Sequence, residues 1–85
     1  MKVAAQCIDL TSETFDTKRG QKTLHILVML DVSKPSLRNT FDYELQAAEL
    51  PGAAGLVGKE LTLEIRDITQ SFSGRIRMQG AIVVD

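Results

Sequence analysis

The chain has 85 residues, of which 44% are hydrophobic and 25% are charged, and ten basic residues nearly balance eleven acidic ones. This length predicts a single domain, residues 1–85, and the composition is that of a folded globular protein, which excludes a disordered chain. The near-neutral charge does not favour nucleic acid in general, because dedicated binders are usually distinctly basic.

The chain offers few groups for catalysis or metal binding. Cys7 is the single cysteine and His25 the single histidine, which excludes an internal disulfide framework and a zinc-type ligand set. We expect Cys7, in an apolar stretch, to be a buried packing residue. Nothing near His25 in the sequence completes a catalytic set. The sequence therefore predicts no enzymatic activity, no cofactor and no metal.

The apolar segments are short. The longest uninterrupted one covers residues 26–30, which is far too few to span a bilayer. Polar Gln6 and Asp9 follow Lys2, which is not typical of a signal peptide. We therefore expect a cytoplasmic protein with no membrane association.

Two strands are predicted in the first part of the chain. Residues 2–10 mix small and apolar side chains, and residues 11–21 form a polar stretch that we interpret as a loop ending in a turn at 19–21. Residues 23–32 alternate most clearly. One face of this second strand is continuously apolar, with Leu24, Ile26, Val28, Leu30 and Val32. The opposite face carries Leu27 and Met29, so part of it must also be covered.

Three further strands follow a break at residues 34–36. Residues 39–46 alternate, with Phe41, Tyr43 and Leu45 on one side and acidic residues on the other. Residues 47–58 favour a loop with at most one short helical turn. Residues 59–68 place Leu61, Leu63 and Ile65 inward. A hairpin connection at 71–74 leads to residues 75–84, where Gly80 interrupts the alternation and indicates a bulge or a bend.

These elements favour one architecture. Five short strands, with the single non-β connection between the third and the fourth, are typical of an all-β, five-stranded OB-type Greek-key barrel. Barrel closure would also remove exposed sheet edges, which are a hazard for so small a β-rich chain.

In element order and size the chain resembles the OB-fold single-stranded DNA-binding proteins, in particular the small gene V type proteins of filamentous phages. The resemblance covers nearly the full length. It includes the start Met1-Lys2-Val3, the basic-glycine stretch Lys18-Arg19-Gly20-Gln21-Lys22 and the turn Gln70-Ser71-Phe72-Ser73-Gly74. It departs from the family at Leu24, where the family has an aromatic residue, and in the connection before the third strand, which lacks one. The resemblance implies an OB fold and binding of single-stranded DNA.

Eight residues are candidates for contacts with a single strand. Cations follow the phosphates, and aromatic rings stack on bases, each stack contributing about 1–3 kcal/mol. The candidate cations lie in the predicted loop and on the last two strands; they are Lys18, Arg19, Lys22, Arg66, Arg75 and Arg77. The candidate stacking residues stand in polar sequence and are Phe15 and Phe72.

Each cluster also has a simpler interpretation. The loop cations could form a solvated hairpin tip, and the arginines could pair across strands with Glu60 and Glu64, which share their predicted face. Asp42 and Glu44 make the outer face of the third strand acidic, so we do not expect that strand to contact phosphate.

The favoured function is non-catalytic binding of single-stranded DNA or RNA with low sequence preference. The alternative is a protein-interaction or assembly module without nucleic acid, motivated by the partly apolar face that carries Leu27 and Met29. A homodimer is expected in either case, because a core this small gains from association.

Overall fold

A computed structural model describes residues 1–32, 39–70 and 74–83. The five predicted strands are present, with several shifted ends: β1 (Lys2–Thr17), β2 (Gly20–Asp31), β3 (Thr40–Glu44), β4 (Glu60–Gln70) and β5 (Ile76–Ile82). The predicted break at 34–36 and most of the hairpin connection at 71–74 lie outside the described residues. Within the described part, no helix has the length and apolar character needed to cross a membrane.

The strands form one closed barrel in the order β1-β2-β3-β5-β4. β3 runs parallel to β5, and the other neighbouring strands are antiparallel. β4 returns to pair with β1 from Lys2↔Glu64 to Gln6↔Glu60, which closes the ring. The predicted five-stranded OB-type Greek-key barrel is confirmed.

The connection between β3 and β4 contains the predicted short helical turn and a second one. Both are 3₁₀ turns, Ala47–Glu49 and Ala53–Leu56. The Glu49 carboxylate anchors the first turn, because it accepts hydrogen bonds from the Tyr43 hydroxyl (2.8 Å) and from the backbone N–H of Ile82 (2.8 Å). Burial raises the pKa of Tyr43 well above its ordinary value, and the bonds to Glu49 add to this rise.

The hydrophobic core lies inside the barrel and draws on β1 to β4 and the second 3₁₀ turn. Its buried members are Ala5, Cys7, Leu27, Met29, Phe41, Tyr43, Leu45, Ala53, Leu63 and Ile65. The predicted inward faces of the third and fourth strands are confirmed. Cys7 is fully buried, and this burial raises the pKa of its thiol, in keeping with a packing role.

The buried face of β2 is not the face that is continuously apolar in the sequence. Leu27 pairs with Tyr43 and Met29 with Phe41, and all four side chains point into the core. The more regular apolar face of β2 therefore lies on the outside of the barrel. Periodicity could not assign the faces, because the outer face is also partly covered: Ile26 lies there and is only 1% exposed.

Residues 11–21 are not a loop. β1 and β2 pair without interruption from Asp9↔Val28 to Thr17↔Gly20, and only two residues, Lys18 and Arg19, form the turn. All residues from 11 to 23 are exposed, so this part of the β1–β2 hairpin projects from the barrel; we call it the arm. Because both faces of the arm contact solvent, it lacks the apolar alternation by which strands are recognised.

The irregularity at Gly80 has a specific cause. The register of β4 against β5 shifts between Ile65 and Asp67, so the bulged residue is Arg66 on the neighbouring strand. A Cβ atom at Gly80 would lie 1.8 Å from the carbonyl oxygen of Glu64. Glycine is required at this position because the backbone of β4 approaches it too closely for any side chain.

Candidate nucleic-acid interface

The arm brings four of the eight candidate residues together. Phe15 and Lys22 are direct cross-strand partners, so their side chains lie on the same face. Lys18 and Arg19 form the tip a few residues away. The Phe15 side chain is exposed (42%), although it belongs to a strand rather than to the predicted loop. The arm therefore presents an aromatic ring and three cations on one projecting hairpin.

Local hydrogen bonds hold the tip of the arm. The Thr17 hydroxyl donates to the carbonyl of Gly20 (2.7 Å) and accepts from the backbone N–H of Arg19 (3.2 Å). Gly20 has a φ of +115°, a backbone conformation that other residues rarely adopt. This conformation lets the chain reverse over two residues. Farther down, the hydroxyls of Thr14 and Thr23 bond across the strands (3.0 Å). The side chains at the tip are thus carried by a defined hairpin.

Arg75 is engaged within the protein. Its Nε and Nη2 atoms contact Oδ1 of Asp42 at 2.9 and 2.8 Å, and Nη2 also donates to the hydroxyl of Thr40 (3.3 Å). Asp42 is buried, so Arg75 compensates a carboxylate that has been removed from water. Arg75 therefore neutralises the charge of Asp42, which was expected to repel phosphate.

Arg77 reaches the arm. Its Nη2 atom lies 3.0 Å from Oε2 of Glu13, and its side chain is only 15% exposed. Arg77 is opposite Asp42 on β3, and Glu13 is opposite Leu24 on β2, so this ion pair spans the outer faces of two intervening strands. The pair ties β5 to the arm.

Cross-strand ion pairing thus accounts for Arg75 and Arg77, but with partners other than the expected Glu60 and Glu64. The reason is the strand order: β5 lies between β4 and β3, and Arg77 on β5 and Arg75 just before it turn away from β4, to Glu13 on the arm and Asp42 on β3. Glu64 instead contacts the N-terminal amino group (3.3 Å). The sequence could not show this, because the parallel β3–β5 pairing joins segments that are distant in the chain.

Of the two remaining candidates, the structure describes only Arg66. Arg66 is exposed in the β4 bulge, near enough to Tyr43 to offset part of the rise in the pKa of that phenol. Phe72 lies outside the described residues. Glu13 was not singled out by the sequence; recognising residues 11–17 as a strand would have placed it on the same face as Phe15.

A second surface feature is an open groove of about 320 Å³ beside the first 3₁₀ turn. Its polar side chains are used internally, since the Gln79 amide donates to Glu44 and the Gln46 amide donates to the carbonyl of Gly80. The groove therefore offers less to a ligand than the arm does.

Comparison of the chain with models of protein families, with curated proteins and with solved structures found no match.

Proposed function

We propose that this protein binds single-stranded nucleic acid, DNA or RNA, without catalysis and with low sequence preference. The observation that carries the proposal is the arm, on which the exposed ring of Phe15 lies beside Lys22 and close to the cations of the tip. Stacking on an aromatic ring tolerates any base, because every base has a π face, and cations contact the backbone phosphates without reading sequence.

The number of local phosphate contacts sets the expected salt dependence of binding. The formal net charge is −1, so the overall field gives little attraction for a polyanion and binding depends on local contacts. Three phosphate contacts to a single strand would give a slope of log K against log salt of about −2. We therefore expect binding at low ionic strength that weakens markedly as salt is added.

The test is a fluorescence-polarisation titration of a labelled oligo-dT over a series of salt concentrations. The double variant Lys18→Ala/Arg19→Ala should bind more weakly, with a salt slope reduced by about 1.4, because two phosphate contacts are lost. Phe15→Ala should weaken binding about five- to hundredfold, with little change in slope, because stacking does not release counterions. The matched control is Lys59→Ala, which removes an exposed lysine that lies outside the arm.

Two results would count against the proposal. One is the absence of binding by the unaltered protein at low salt. The other is a Lys18→Ala/Arg19→Ala variant that binds as tightly as Lys59→Ala does.

We also propose that the protein forms a homodimer, which would serve either nucleic-acid binding or the alternative role in assembly. Leu27 and Met29 are buried and cannot supply the contact surface. Instead, Ile68 and Ile76 are 51% and 49% exposed, and the register places them diagonally on one face of the β4–β5 hairpin. Covering this face with a second copy would bury apolar area that a small core needs.

Sedimentation equilibrium tests the dimer directly. Ile68→Lys/Ile76→Lys should shift the protein to a monomer that still folds, because both side chains are exposed in the single chain, and its unfolding midpoint should lose the rise with protein concentration that a dimer gives. An unaltered protein that remains monomeric at high concentration would refute this proposal.

A further inference from the structure

Glu13 stands among the residues proposed to bind phosphate, and it carries the opposite charge. It lies in the arm two residues before Phe15, so the two side chains share one face of β1. Its carboxylate is bound to Arg77, which is itself a candidate phosphate ligand. An anion of the protein thus occupies a cation that a nucleic acid would use.

The contact between Glu13 and Arg77 is incomplete. The Nε and Nη2 atoms of a guanidinium lie on one edge, and that edge can bind two oxygens of a single anion. In Arg77, Nη2 donates to Glu13, whereas Nε is buried and has no acceptor among the described residues. A buried donor without an acceptor is costly, which leaves this arginine able to gain from a second oxygen.

Arg75 differs from Arg77 in that its ion pair is complete. Both Nε and Nη2 of Arg75 are bound to Asp42, and that carboxylate is buried. Removing Asp42 from its partner would leave an uncompensated buried charge. Glu13, in contrast, has a side chain that is 52% exposed and would be hydrated if released, so its pair is the easier one to exchange.

We propose that Glu13 is an internal competitor that occupies Arg77 until a nucleic-acid phosphate displaces it; this inference rests on the proposed function. A phosphate group offers several acceptor oxygens and can take both Nε and Nη2 of Arg77. Exchange also releases the tie between β5 and the arm, so the arm becomes free to follow the bound strand. A nucleic acid that brings no phosphate to Arg77 leaves the ion pair between Glu13 and Arg77 in place.

The test compares Glu13→Gln with the unaltered protein in the oligo-dT titration. Glutamine keeps the size of the side chain and removes the charge. We expect affinity to rise about two- to fivefold, which is the usual range for releasing an exposed ion pair. This gain should shrink and the salt slope should become steeper as salt is added, because salt weakens the Glu13–Arg77 pair and so lowers the cost of displacing Glu13 in the unaltered protein.

A double-mutant cycle separates this effect from a general loss of negative charge. Arg77→Met removes the guanidinium and keeps an unbranched apolar stem. In the Arg77→Met background, Glu13→Gln should gain no more than Asp16→Asn does, because only the general loss of charge remains. The control is Asp16→Asn, which removes an equal charge from the same arm; any gain from it should be the same in both backgrounds.

The outcomes distinguish the two proposals. If the unaltered protein binds and Glu13→Gln binds equally well, or its gain beyond that of Asp16→Asn persists with Arg77→Met, the competitor role is wrong and nucleic-acid binding stands. If Arg77→Met unfolds, the salt slope of Glu13→Gln still decides, since a slope no steeper than that of Asp16→Asn refutes the role. If no variant binds the oligonucleotide at low salt, both proposals fail.

Discussion

Gly80→Ala should destabilise the barrel strongly. The added Cβ would lie 1.8 Å from the carbonyl oxygen of Glu64 and 3.1 Å from Cα of Ile65, and both atoms belong to the backbone of β4. No side-chain rotation relieves this contact, so β4 and β5 must separate by more than 1 Å where the β4 bulge closes against β5.

The magnitude follows from two contributions. Overpacking costs about 1–3 kcal/mol, and each cross-strand hydrogen bond that is stretched or lost adds about 1 kcal/mol. We therefore expect a loss of about 3–4 kcal/mol in the free energy of unfolding. For a chain of this size, 1 kcal/mol corresponds to about 4–8 °C, so the midpoint should fall by at least about 12 °C.

Urea denaturation followed by circular dichroism measures this loss, and Gly55→Ala is the matched control. A Cβ at Gly55 meets no atom within 4 Å, and its φ is not positive, so that substitution should be neutral or slightly stabilising. If Gly80→Ala costs less than about 1 kcal/mol, or no more than Gly55→Ala, the close approach of β4 to β5 is refuted.

Three other outcomes are expected. Asp42→Asn should lower the free energy of unfolding by about 1–2 kcal/mol in urea denaturation, because Arg75 loses its charged partner but is itself partly exposed; an unchanged midpoint would contradict the pairing. Leu27→Ala should cost about 2–5 kcal/mol and Leu24→Ala distinctly less, because only the former empties the core; equal losses would contradict the assignment of the faces of β2. Tyr43 is the single tyrosine, and its pKa is raised in the folded state. The unfolded chain therefore releases the phenolic proton first, and stability should fall as pH rises above about 10, with absorbance at 295 nm appearing only on unfolding; a tyrosinate signal from the folded protein near pH 10 would show that Tyr43 is not buried.

Most of the barrel could be predicted from the sequence. Strands β3 and β4 alternate clearly, because one face of each is apolar and packs on the core while the other carries polar residues, and this difference is what periodicity detects. The order of the elements and the single non-β connection then favoured the OB-type topology. Gly80 was recognised as an irregular position, but its cause lies on the neighbouring strand and is invisible in the local sequence.

The arm shows where such prediction ends. Its residues are polar on both faces, so their composition favours a loop, although backbone pairing continues to the turn at Lys18 and Arg19. Phe15 and the tip cations are exposed, in keeping with their polar sequence context, which indicates solvent whether the segment is a loop or a strand.

The sequence by itself determined the five β-segments and the order that makes an OB-type barrel. These features depend on local alternation and turn chemistry, which neighbouring residues specify. Only the tertiary structure decided which face of β2 is buried and which acids meet Arg75 and Arg77. Those outcomes depend on β3 pairing in parallel with β5, a contact between segments more than 30 residues apart. The same pairing places Glu13 on Arg77, and with it the competition that we propose at the arm.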